Sequence, residues 1–162
     1  MEYTKQIVIE QTNEHKNDVS FAMGKIISQL IERANKHDYT KYEKPELLAL
    51  ALNERKNGNK EPMKEWIKFH SQEDHHIEHF NDPSQMNLLQ ALEMCVDGPC
   101  ASYRRTKDMA INKEDQIKYF MKDGFSLETA NMLANTFLVV REILDKRELE
   151  LSKKAEEEEN SK

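Results

Sequence analysis

The chain has 162 residues, 33% charged and 38% hydrophobic, with a formal net charge of -6. That length supports one domain with a real core, and the scarcity of Gly and Pro fits a mostly helical protein. Much of the negative charge sits in Glu156 to Glu159, and no basic field suited to duplex nucleic acid is present. No apolar run approaches the roughly 20 residues of a membrane span, and the first residues lack the apolar stretch of a signal peptide. Cys95 and Cys100 are too few for a disulfide framework and are not spaced as CxxC. These features together predict a cytoplasmic protein without a membrane partner.

In chain order, residues 1–12 are read as an N-terminal segment. From residue 15 to 37 Val19, Ala22, Met23, Ile26, Ile27, Leu30, Ile31 and Ala34 recur at helical steps. His15 and His37 extend that stripe, so both are expected to face an interior. About 20 helical residues separate them, some 30 Å in a straight helix. They can share an ion only if the chain breaks or bends at Gly24 or near Asn35-Lys36. A second helix is predicted from Pro45 to the Asn57-Gly58-Asn59 stop. A third starts near Pro62 and carries Met63, Trp66, Ile67 and His70.

After the polar stretch Ser71 to His76 and the turn at Asn81-Asp82-Pro83, residues 84–97 read as a buried helix ending at Asp97. Gly98-Pro99 is expected to bend or stop it. Lys113 to Asp123 form a shorter helix closed by Gly124. Ser126 is the predicted N-cap of the last one. The main helical domain is placed at 13–151. Residues 152–162, charged and without a core pattern, are read as a disordered tail. The only hint of a strand is the short run Ile7-Val8-Ile9.

All six histidines lie between residues 15 and 79: His15, His37, His70, His75, His76 and His79. Imidazole and carboxylate donors together suit divalent Mn, Fe, Co, Ni or Zn. Asp97, a carboxylate on an apolar helix, calls for a partner or a cation. Each has a plainer account. Asp38 and Asp97 could cap turns, His15 could be a core histidine, and His70, His75 and His76 could form a polar surface. Lys41, Arg104 and Arg105 could simply be solvated.

The ordered set His15, His37-Asp38 and Asp97 on successive helices resembles the HD-domain metal-dependent phosphohydrolase superfamily. His37-Asp38-Tyr39-Thr40-Lys41 resembles its His-Asp-containing element. Trp66-x-x-x-His70, His75-His76-Ile77-Glu78 and Glu93-Met94-Cys95-Val96-Asp97 are similar to an uncharacterised HD-like family of bacteria and phages, a domain of unknown function. The resemblance covers residues 13–140 and departs at Gly98-Pro99 and at His79, where an aromatic residue is expected.

The resemblance implies an all-α, HD-domain-like helical bundle holding one or two divalent metals. His15, His37, Asp38 and Asp97 would be primary ligands, with His70, His75 and His76 as candidates for a second ion. Glu78 would orient a ligand or carry a proton. Lys41 would contact a substrate phosphate, and Arg104 and Arg105 could bind an anionic substrate. The implied activity is hydrolysis of a nucleotide or other small phosphoester by metal-activated water. Two other readings stay open. One is a two-iron oxygenase of the same fold. The other is a non-enzymatic interaction protein, cellular or viral, with a structural metal site, whose acidic tail and last helix bind a protein partner. A homo-oligomer is compatible with each.

Overall fold

The computed structural model describes residues 3–106 and 112–160, without the side chains of 105, 106, 159 and 160. The described residues form an all-α fold of seven helices and two short 3₁₀ turns. None of these helices is long and apolar enough to cross a membrane. Ile7-Val8-Ile9 lies in a helix. The chain divides into two units, Met1–Tyr39 and Thr40–Lys162.

The first unit is one long helix, α1 (Lys5–Lys36). Thr4 caps its start, its hydroxyl oxygen accepting the Ile7 N–H at 3.3 Å. Arg33 and Lys36 in the last turn suit the negative end of the helix dipole. The helix runs unbroken through Gly24 and Asn35-Lys36, so the break that would bring His15 to His37 does not occur. The expected buried stripe is not buried either: Val19, Met23, Ile26, Ile27 and Ile31 are 40–58% exposed. Periodicity shows that a face suits an apolar partner, and among its described residues the unit has no second helix to cover it. His37 ends α1, and Asp38 follows at φ +61°. Asp is among the few residues that tolerate this left-handed conformation, and a single such residue is a common helix stop.

In the second unit, α2 (Tyr39–Glu43, starting at the unit boundary) leads into α3 (Pro45–Lys56) and α4 (Glu61–His70). Pro45 stands in the first turn of α3 as expected, and Gly58 follows its end at φ +86°. α3 packs on α4. The 3₁₀ turns Ile77–His79 and Pro83–Gln85 lead to α5 (Leu88–Thr106), α6 (Lys113–Lys122) and α7 (Leu127–Asn160). α5 and α6 both pack on α7.

The core joins these three helices: Ala91 and Cys95 from α5, Phe120 from α6, Phe125 from the connection, and Ala130, Leu133 and Ala134 from α7. A second cluster forms where Cys100 and Tyr103 meet Val140 and Leu144.

Two expectations need correction here. α5 does not stop at Gly98-Pro99; it continues to Thr106 with Pro99 fully buried inside it. A proline within a helix costs about 3 kcal/mol. Continuing the helix brings Cys100 and Tyr103 onto Val140 and Leu144, and each buried apolar side chain contributes roughly 1.5–3 kcal/mol. Gly98 faces the Phe137 ring, where a Cβ would make an ordinary van der Waals contact at 3.5 Å. The second concerns the charged tail from residue 152, which is helical as far as Asn160. Glu, Lys and Ala are good helix formers, and α7 is already nucleated upstream.

The closure of α6 matches expectation. Gly124 has φ +97°, and a Cβ there would lie 3.1 Å from Pro83 Cγ. Gly124→Ala is therefore expected to destabilise the protein by about 1 kcal/mol or more, read as a lower denaturation midpoint. Ser126 caps α7 as predicted, its Oγ accepting the Thr129 N–H at 3.2 Å.

Candidate metal centre

The chemistry-bearing side chains of the second unit gather around the end of α4. Trp66, 4% exposed, anchors that helix. One turn later the His70 ring stacks on its indole, with centroids 5.2 Å apart and planes 19° from parallel. Ser71 ends α4, and a series of tight turns returns the chain through Glu73, His75 and His76. Three neighbours in sequence therefore face His70 across the turn.

Glu73 sits at the middle. Its Oε1 accepts the Thr40 N–H at 2.9 Å and also accepts the Thr40 hydroxyl. Its Oε2 lies 3.6 Å from His75 Nδ1. Burial alone would favour the neutral acid. The Thr40 donors and the nearby His70 and His75 outweigh it, and the carboxyl is held below its ordinary range.

Thr40 Oγ1 is also 2.6 Å from His70 Nδ1. A hydroxyl has one proton, and this one goes to Glu73, so the ring must donate at Nδ1. His70 Nε2 then carries a lone pair, and it faces His76 Nε2 at 3.2 Å. Histidine metal ligands are held in this way, with the far nitrogen donating to an oxygen that fixes tautomer and orientation.

Ligand atoms of His70, Glu73 and His76 all lie within 4.8 Å of one another. Two imidazole nitrogens about 2.1 Å from one ion are about 3.0–3.4 Å apart at octahedral to tetrahedral angles. The His70–His76 separation falls in that interval. It is also that of an N–H···N hydrogen bond, in which His76 is the donor when no ion is held. The donor set, two imidazoles and a carboxylate, fits a borderline divalent ion.

His75 is buried, 2% exposed, with Nδ1 3.3 Å from Glu93 Oε1 on α5. A second tie joins the turn to α5: Gln90 Nε2 donates to Asp74 at 2.8 Å. Gln90 also accepts the Asn87 N–H, while Asn87 Oδ1 accepts the Gln90 N–H. This reciprocal capping box fixes the start of α5. The residue that closes the helix start thus also holds the histidine turn.

Burial is the main cause holding the His76 imidazole down to about 4, and the neighbouring His75 and His70 add to it. Its pKa in the folded state lies below its unfolded value, so the unfolded chain binds more protons between about pH 6.5 and 4. Stability falls as pH drops through that window. Glu73, with its pKa lowered, acts in the same direction. Thermal melts of the metal-free protein from about pH 7 to about pH 4 should show a falling Tm, with a flatter profile for His76→Phe.

The structure sorts the sequence candidates. His70, His75 and His76 share one cluster, and Asp97 and Glu78 line a cavity with His76. His37 and Asp38 belong to the first unit, with His37 Nε2 and Asp38 Oδ2 3.5 Å apart. His15 is exposed one-third of the way along α1, separated from His37 by about 33 Å of unbroken helix. It is not brought to the pair. Lys41 is half-buried in α2, next to Thr40, and Arg104 is exposed on α5. The Arg105 side chain lies outside the described residues. His79 is exposed and packs edge-on against Phe80.

Sequence reasoning passed over Thr40, Glu73 and Gln90. Glu73 stands three residues after His70 and two before His75, and that spacing within a histidine cluster was the available signal. For Thr40, and for the tie of Gln90 to Asp74, no local signal exists, because the partners lie 33 and 16 residues away.

A family model for a family of unknown function (DUF5662) matches residues 4–139, most of the chain and all of the histidine cluster. The chain belongs to this family. No curated protein matches it. No solved structure does either.

Proposed function

We propose that this protein is a metal-dependent phosphohydrolase acting on a nucleotide or other small phosphoester. The observation that carries the reading is the His70–His76 nitrogen pair, 3.2 Å apart, with His70 oriented by Thr40 and Glu73. An arrangement that holds an imidazole in one tautomer with its lone pair inward is a preorganised ligand set. A divalent ion supplies a Lewis acid for a phosphoryl oxygen and acidifies a water molecule.

The chain's own groups divide the remaining work. His70, His76 and Glu73 hold the ion, and Thr40 orients His70. Lys41, the next residue on α2, balances charge on the substrate phosphate. Asp97 enters as a ligand on the HD-type resemblance of the sequence. Glu78 lines the cavity that adjoins the pair.

The test is elemental analysis of protein purified without a histidine tag, followed by a phosphomonoester screen with Mn, Co or Ni. About one or two divalent ions per chain and metal-dependent release of phosphate are expected. Glu73→Gln should lower both. A protein that takes up no divalent ion, or whose phosphatase activity ignores chelation, would end this reading. Bound iron with a visible absorption band and oxygen consumption would move the assignment to a two-iron oxygenase.

A further inference from the structure

A cavity of about 180 Å³ opens beside the histidine cluster, between the Ile77–His79 turn and helices α5, α6 and α7. His76 belongs to both. Its apolar wall is made by Ile77, Met94, Phe120 and Phe137, and the two phenylalanines are 4% and 5% exposed. Its polar groups are Glu78, Asp97, Asp123, Tyr119 and Gln116. Three carboxylates line the cavity and, among the described residues, no Lys or Arg does. Small-molecule sites have this build, an apolar wall with a few convergent polar groups.

The charge balance decides which end of a substrate fits. A phosphate would face Glu78 and Asp123 with no Lys or Arg among the described lining residues. A cationic group would meet them favourably and would also gain from the negative faces of the aromatic rings. The field inside is visible in the titrating groups. Burial raises the Asp123 carboxyl above its ordinary range, and Glu78 raises it further. Burial likewise raises the Tyr119 phenol, with Asp123 and Glu78 adding to it. A positive charge between Glu78 and Asp123 would relieve both. Size sets the second limit: a cavity of about 150 Å³ takes one benzene ring.

We infer that this cavity binds the positively charged, ring-sized organic end of a small ligand, its ammonium group held between Glu78 and Asp123 and its ring against Phe120 and Phe137. Under the phosphohydrolase reading, that ligand is the substrate's leaving group. The substrate class is then a phosphomonoester whose organic end carries an amine, with its phosphate directed toward the His70–His76 pair. Only this last step rests on the metal-centre reading.

Three probes of one shape test it on the full-length protein by isothermal titration: benzylamine, benzyl alcohol and benzoate. Benzylamine should bind at least about 10-fold more tightly than benzoate, with benzyl alcohol between them. Glu78→Gln and Asp123→Asn should each weaken benzylamine about 3-fold or more and leave benzyl alcohol unchanged. The Glu78 variant keeps the test informative if Asp123, at the end of α6, is needed for folding. Equal or tighter binding of benzoate, no saturable binding of any probe, or benzylamine affinity unchanged in both variants overturns the inference. Metal uptake with phosphatase activity but no preference for benzylamine removes the cavity assignment alone. Selective benzylamine binding by a protein that holds no metal removes the metal centre alone.

Discussion

His70→Ala combined with His76→Ala should lower divalent-metal affinity by at least about 100-fold and phosphohydrolase activity in proportion. Both rings leave, so neither the ligand pair nor an N–H···N bond between them survives. The comparison that separates a metal ligand from a packing residue is Thr40→Val. Valine keeps the volume and removes the hydroxyl, so His70 loses the acceptor that holds its proton on Nδ1. Loss of such an orienting partner costs about 10–100-fold in metal affinity. The order expected is therefore wild type, then Thr40→Val, then the double histidine variant, read by metal titration with circular dichroism as a fold control. An unchanged metal affinity in the double variant would show that these histidines hold no ion.

Leu133→Ala should destabilise the protein by about 2–5 kcal/mol, the usual range for a buried leucine. Leu133 is 2% exposed on α7, within the cluster that joins α5, α6 and α7. Its carbonyl oxygen also accepts the Cys95 thiol at 3.5 Å. The three helices meet there with alanines at Ala91, Ala130 and Ala134, so Leu133 fills much of the space between them. Leu149→Ala, at a leucine 57% exposed further along α7, is the control and should stay within about 0.5 kcal/mol of wild type. Urea denaturation of the two variants reads the contrast. A small effect at Leu133 would mean that the three-helix core is not the source of stability.

The two predictions address separate layers. The core that Leu133 holds sets the spacing of α5 against α7, and α5 carries Gln90, Glu93 and Asp97 toward the histidine turn. A core variant should thus weaken metal binding only through lost folding. Thr40→Val should weaken it with little change in the unfolding midpoint. This difference makes Thr40 a positioning residue and not simply a packing one.

Local chemistry was legible in the sequence. Pro45 in a first turn, Gly58 and Gly124 after helix ends, and Ser126 as a cap are decided within a few residues, and each stands where its chemistry requires. The all-α fold followed from helical periodicity and scarce Gly and Pro. The concentration of histidines and acids between residues 70 and 78 was also visible, because neighbours in sequence are neighbours across a tight turn.

The tertiary structure decided what depends on distant partners. Pro99 reads as a stop until α7 supplies Val140 and Leu144 to reward continuing the helix. The α1 stripe reads as buried because periodicity describes a face and not its cover. Lining up with that stripe made His15 look interior and the family resemblance made it a ligand, yet an unbroken helix keeps it about 33 Å from His37. Glu73 looked like one more surface acid, and only its place between Thr40, His70 and His75 gives it a role. The sequence determined which residue types could bind a metal. The fold determined which of them meet, because that depends on hydrogen bonds and packing between segments that the chain itself keeps apart.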